Sequence, residues 1–202
     1  MKMEMFKDAL KYPFSSWKSF FILGIIIVFN TLKYSFQSLG VNMLLLTGLS
    51  SFGLIFALFI YGYGIKILKS SLAGFDELPN FDSWFEMFVD GIKAIVAGVG
   101  YTIPLIMILV LGSLLLGFTA GHIGTNIIMI YLWVFFVIIF LYLILVFPIY
   151  LMALANMAFH DDWNAAFDFS EVFSKISNIG WKKFFTWYII TIIILLALVF
   201  FI

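Results

Sequence analysis

The chain has 202 residues, 64% of them hydrophobic and 11% charged, with eleven Lys, no Arg, and eleven Asp and Glu for a net charge of zero. A soluble domain is about 45–50% apolar and about 25% charged, so a soluble globule is excluded; the mean hydropathy of +1.15 points to a multi-span membrane protein. Without Arg there is no bidentate phosphate fork, which argues against nucleic-acid binding, and without Cys there are no disulfides or thiolate metal sites.

Residues 1–18 are amphipathic. Phe6, Ala9 and Leu10 form a short apolar stripe, Pro13 ends that helix, Ser15 can cap the next one, and Trp17 suits a membrane interface. The first span is expected over residues 19–36. It is too long for a signal-peptide core, and no small-x-small site follows it, so it reads as uncleaved. Asn30, Lys33 and Gln37 lie along one side of it. A turn without charge, residues 37–43, leads to a second span over 44–70, where Gly48, Ser51 and Gly62 permit close helix approach and Lys66 and Lys69 mark the end.

Residues 74–90 are the main charged interruption. Leu78-Pro79 favours an extended entry. From Asn80 onward a helix lying on the membrane is expected. Phe81, Trp84, Phe85, Phe88, Val89 and Ile92 recur at the spacing of one helix face, while Asp82, Glu86 and Asp90 fall four apart on the other.

A third span follows over 91–118, with the small pair Ala94 and Gly98 and a kink expected at Pro104. A second neutral turn, 119–125, holds His122. The fourth run, 126–159, is too long for one straight crossing, and a bend is expected at Pro148. Residues 161–178 read as another surface helix, with Asp161 as N-cap and Trp163, Ala166, Phe167, Val172, Phe173 and Ile176 on its apolar side. Lys182 and Lys183 then introduce a fifth span, 184–202.

Ten of the eleven Lys, and all eleven Asp and Glu, fall on one side of this five-span threading; Lys33 is the exception. The positive-inside rule puts that side, with the N-terminus, in the cytoplasm of a cell whose inner or plasma membrane holds the chain. A coarse repeat of interfacial segment, span, neutral turn and returning span is visible within this single integral membrane domain. Its units are 1–73, 74–159 and 160–202, the last incomplete, so either a sixth span is missing after Ile202 or the chain is naturally short.

Several stretches together resemble an uncharacterised, mostly archaeal family of multi-pass membrane proteins, domain of unknown function 4013. They are Asp8-Ala9-Leu10-Lys11-Tyr12-Pro13, Gly62-Tyr63-Gly64, Leu78-Pro79 with Asp82 and Trp84, Phe88-Val89-Asp90-Gly91, Tyr101 with Pro104, and Ala166-Phe167. The resemblance implies a fold and no activity.

The acidic row Asp82, Glu86 and Asp90 stacks like charges four apart, which slightly destabilises an isolated helix. It reads as a solvated face, with a basic partner protein or a divalent cation as lesser alternatives. His160-Asp161-Asp162 are adjacent, so their side chains fan out; they read as a helix terminus and no metal ligand set is assigned. Lys33 is expected to snorkel to headgroups, with Asn30 and Asn156 as the other intramembrane polar groups. Walker loops, dinucleotide fingerprints and nucleophile elbows are absent from the sequence, so no catalytic residue, cofactor or metal is expected.

The expectation is an all-α polytopic transmembrane bundle with cytoplasmic interfacial amphipathic helices. Its interfacial residues are Trp84, Phe85, Phe88, Trp163 and Phe167. The function expected is that of a non-enzymatic scaffold or accessory subunit meeting the lipid bilayer or a membrane or cytoplasmic protein partner. A small-solute or ion transporter with a path past Asn30, Lys33 and Asn156 is the alternative.

Overall fold

A computed structural model describes residues 11–38, 42–119 and 124–201. Among them all regular structure is helical. The α-helices are α1 (Trp17–Ser38), α2 (Met43–Leu72), α3 (Trp84–Thr119), α4 (Thr125–His160), α5 (Phe169–Ile179) and α6 (Trp181–Phe201), with 3-10 turns at Tyr12–Phe14 and Trp163–Phe167. The five expected spans all fall on helices. The stretches 51–72, 84–119 and 125–160 are each long and apolar enough to cross a membrane, and α5 with α6 makes a fourth if that bent pair is one span; Trp17–Phe29 is apolar but shorter. The chain is therefore an all-α, multi-pass integral membrane protein. The side chains of Asn30, Lys33 and Gln37, and all of His122, lie outside the described residues.

The helix boundaries follow from local chemistry. Asn42 caps α2 by accepting a hydrogen bond from the Leu45 amide at 3.0 Å. Asp168 caps α5 in the same way, from the Glu171 amide at 3.0 Å. That corrects the expectation that Asp161 would open this helix. Asp161 instead ends α4 with a φ of 53°, a left-handed conformation that Asp tolerates better than most residues. Ser15, expected to cap α1, donates to the Tyr12 carbonyl and accepts from the Leu78 amide at 2.9 Å; Ser16 takes the place beside the first turn, near the Ser19 amide.

Both α3 and α4 have 36 residues. At 1.5 Å per residue each is about 54 Å long, against a hydrocarbon core of about 30 Å. Each therefore has several turns beyond the apolar slab. Helix α3 runs through Pro104, and α4 through Pro148, without interruption.

Two compact units result. One holds Met1–Val96 and Ala158–Trp163, the other Ala97–Met157 and Asn164–Ile202. In the first, α1 packs on α2 with Phe29 stacked on Phe56 at 5.5 Å. Helices α2 and α3 meet backbone to backbone: a β-carbon on Gly62 would overlap the Met87 carbonyl, and one on Gly91 would overlap the Leu58 carbonyl. Only glycine allows that approach at both points. In the second unit, α5 and α6 are related by a bend of 87°. Gly180, at φ +92°, makes the corner, and its amide closes α5 onto the carbonyls of Ile176 and Ser177.

Candidate functional site

The polar groups gather in each unit where a spanning helix meets an amphipathic stretch. In the first unit the stretch is 78–93. Tyr63 is 1% exposed on α2; its hydroxyl donates to the Pro79 carbonyl at 2.9 Å, and the buried Ser19 hydroxyl donates to the same oxygen at 2.9 Å. Phe81 stacks on the Tyr63 ring at 4.0 Å. Since Pro79 sits in a non-helical loop, its carbonyl has no ladder partner, and the two hydroxyls satisfy it.

One turn further along α2 the contacts become ionic. Lys66 pairs with Asp82 and also donates to the Asn80 carbonyl at 2.6 Å. Lys69 lies between two carboxylates, Asp90 at 2.7 Å and Asp161 at 2.6 Å, and Lys93 approaches Asp90 at 3.3 Å. Signs alternate through Asp161, Lys69, Asp90 and Lys93, so the cluster is neutral. The Lys66 ammonium holds the Asp82 carboxyl below its ordinary range. Lys69 does the same for Asp161 against a smaller opposing effect of desolvation.

In the second unit the stretch is 164–179. The Tyr101 hydroxyl on α3 donates to the Ala166 carbonyl at 2.9 Å, and Phe167 stacks on the Tyr101 ring at 6.3 Å. The Tyr142 hydroxyl donates to the Tyr101 carbonyl at 2.6 Å. Asn156, 1% exposed near the end of α4, takes the central place. Its amide nitrogen donates to the Ala165 carbonyl at 2.9 Å and to Glu171 at 3.1 Å, and its amide oxygen accepts from Lys175. Lys175 and Glu171 also pair at 3.0 Å along α5. Ala166, Val172 and Ile176 form the buried side of this stretch.

These contacts correct the expected surface helix over 80–90. The helix begins at Trp84, not Asn80, and continues without a break into the span. Its buried side is Met87, Asp90, Gly91 and Ala94; Trp84, Phe85 and Ile92 are exposed, Phe85 at 79%, and Phe88 is half-buried. Asp90 is 6% exposed and paired, so the row Asp82, Glu86 and Asp90 is not one solvated face: Asp82 and Glu86 are exposed and Asp90 is inside. Small and polar residues pack inward while large apolar ones point out, the arrangement suited to lipid.

The second stretch fits its expectation better. It is a separate amphipathic helix, with Phe167 half-buried against Tyr101 and Trp163 exposed at 47%. Asn156, named as an intramembrane polar group, turns out to anchor this stretch. Among the described residues no group of three or more His, Asp or Glu could hold a metal ion.

A repeated pentad lies outside the sequence expectations. Trp17-Lys18-Ser19-Phe20-Phe21 opens α1, and Trp181-Lys182-Lys183-Phe184-Phe185 opens α6. Self-comparison of the chain for short spaced matches would find it.

Long apolar helices, protein-facing small residues and charge pairs gathered toward helix ends define the class: a polytopic α-helical integral membrane protein. Within it, the chain belongs to the family described as "protein of unknown function (DUF4013)", whose model matches residues 45–202. No curated protein and no solved structure shows a significant match.

Proposed function

We propose that the protein is a non-catalytic scaffold or accessory subunit of the cell membrane, with its N-terminus and charged helix ends in the cytoplasm. The observation that carries this reading is the geometry of α5. It is a short amphipathic helix turned 87° from the apolar α6 and pinned to α4 by Asn156 through Ala165, Glu171 and Lys175. A helix at nearly a right angle to a span lies close to the membrane plane. Its exposed Ser174 and Ser177 then face water, and Phe169 and Phe173 face lipid.

The charged groups of the first unit support a structural role as well. Asp82, Asp90 and Asp161 are each engaged by lysine, which suits holding helix ends together better than proton transfer. A solute path past Asn30, Lys33 and Asn156 draws less support, because both ends of the Asn156 amide are occupied.

Single-cysteine labelling in inverted membrane vesicles tests the reading. A membrane-impermeant maleimide should modify Ser174→Cys and Asp76→Cys, and should spare Phe173→Cys and His122→Cys. Equal labelling at 173 and 174, or modification at 122 with none at 76, would overturn it.

A further inference from the structure

Seven of the eleven lysines fall into two sets; Lys11, which is exposed, lies before the first pentad. Lys66, Lys69, Lys93 and Lys175 all pair with carboxylates. Lys18, Lys182 and Lys183 are exposed, and among the described residues none of them has a carboxylate within 4 Å. These three belong to the repeated pentad, in the first turns of α1 and α6, and neither first turn holds an acidic residue. A cation there adds to the positive end of the helix dipole instead of opposing it. The remaining helices with described first turns in the two stretches, α3 and α5, carry Glu86 and Glu171 at that place. The charge on α1 and α6 therefore has no compensation within the described protein.

Aromatic rings surround these same lysines. Phe14, Trp17, Phe20 and Phe21 form a cluster with centroids 5.3–5.9 Å apart. From α5 into α6 the rings run as a ladder, Phe169 to Phe173 at 6.4 Å, Phe173 to Trp181 at 5.9 Å, and Trp181 to Phe185 at 6.1 Å. Trp17 and Trp181 are 58% and 42% exposed. Each corner thus presents uncompensated cations directly beside exposed indole and phenyl rings, at the point where an apolar helix begins. The complement is a surface that is anionic outside and apolar a few ångströms deeper.

We propose that the two pentads, Trp17–Phe21 and Trp181–Phe185, are contact sites for anionic phospholipid. Lys18, Lys182 and Lys183 meet the phosphodiester, and the rings settle at the level of the glycerol and upper acyl chain. The inference rests on the interfacial placement of α5 and adds the chemical class of its lipid. It also explains a contrast within the chain: the acid-paired lysines hold helices together, and the unpaired ones hold the bilayer.

The test uses the full chain purified in detergent and titrated with phosphatidylglycerol or phosphatidylcholine of identical acyl chains, with bound lipid counted by native mass spectrometry. Phosphatidylglycerol should be retained in preference. Lys182→Gln and Lys183→Gln should each weaken it about fivefold, from about 1 kcal/mol per lysine at an anionic surface, and Lys18→Gln should do so at the other corner. Lys182→Arg with Lys183→Arg should keep the preference, and Lys66→Gln, which removes one acid-paired charge, should leave it unchanged.

Equal retention of the two lipids, or a preference indifferent to the Gln variants in chains that keep their helical circular dichroism, would overturn the proposal. Displacement of the lipid by inorganic phosphate at matching concentration would also overturn it, by making a free anion the ligand. The cysteine labelling separates the two readings. If Ser174 and Phe173 label alike, the interfacial placement fails; if they differ and no lipid preference exists, only the lipid assignment fails.

Discussion

The two units perform one task with different chemistry. Each fixes an amphipathic stretch to the end of a spanning helix. In each, a tyrosine hydroxyl satisfies a loop carbonyl while a phenylalanine next to that loop stacks on the tyrosine ring: Tyr63 with Pro79 and Phe81, Tyr101 with Ala166 and Phe167. Beyond that point they diverge. The first unit uses alternating charges and the second a neutral amide. Solvent access explains the choice at Asp82, Asp161 and Asn156, whereas Asp90, 6% exposed, is an ion kept inside by Lys69 and Lys93. Asp82 and Asp161 have side chains 67% and 71% exposed, so they keep most of their hydration. Asn156 is 1% exposed, where an ion would lose nearly all of it.

The backbones diverge as well. In the first unit the amphipathic stretch runs straight into the span through Gly91. In the second, Gly180 turns the chain by 87°. Gly91 is held in the helix by its approach to the Leu58 carbonyl, while nothing crowds the position of a β-carbon at Gly180. A glycine before an apolar run thus makes a straight junction or a corner according to what packs on it.

The largest expected effect breaks the first unit. Gly62→Val places a side chain against the Met87 backbone and should cost about 3 kcal/mol or more, read as a lowered thermal midpoint in detergent; Gly180→Ala, strained only by its positive φ, should cost about 1 kcal/mol. Next is Asn156→Leu. It removes the hydrogen bonds to the Ala165 carbonyl, Glu171 and Lys175, leaving the carbonyl the Asp168 amide at 3.4 Å and Lys175 its pair with Glu171, and should cost about 2–3 kcal/mol, with faster proteolysis between residues 161 and 180.

Asp90→Asn should cost less, about 1–2 kcal/mol, because Lys69 keeps Asp161 and both lysines reach solvent. An Asp90→Asn effect exceeding that of Asn156→Leu would reverse the assignment of the costlier burial to the second unit. The hydroxyl deletions Tyr63→Phe and Tyr101→Phe should each cost about 1 kcal/mol. Similar values for the two would support a shared device, although Ser19 remains to satisfy Pro79 and should make the first the smaller.

The pH effect is smallest. The Asp82 and Asp161 carboxyls are depressed in the folded chain by Lys66 and Lys69. Their contribution is therefore complete above the ordinary carboxylate range of about 4 and is lost as pH falls through the depressed values. Both groups are well exposed, so screening keeps the change slight. A small drop in thermal midpoint between pH 5 and pH 3, diminished in Asp161→Asn, is the expected result.

Much of this architecture was legible in the residues. The long apolar runs, the neutral turns and the lysines at span ends pointed to the membrane helices. Several of the stretches that carry the family resemblance are also points of close contact. Gly62-Tyr63 meets Met87 and Pro79, Asp90-Gly91 meets Lys69 and Leu58, and Tyr101 meets Ala166. Their pairing was not legible, since no local pattern says that Lys69 should reach Asp161, 92 residues away.

What the sequence determined by itself is helix content, membrane solvent and the amphipathic character of residues 81–92 and 161–178. It could not say which side of the first stretch is inside. Apolar periodicity has the same 3.6-residue repeat whether the apolar side meets protein or lipid. With water as solvent that side would be buried. Here the close glycine contacts and the lysine–aspartate pairs draw the small and polar side inward, so only the packing of α3 on α2 decided that Asp90 is inside and Phe85 is out.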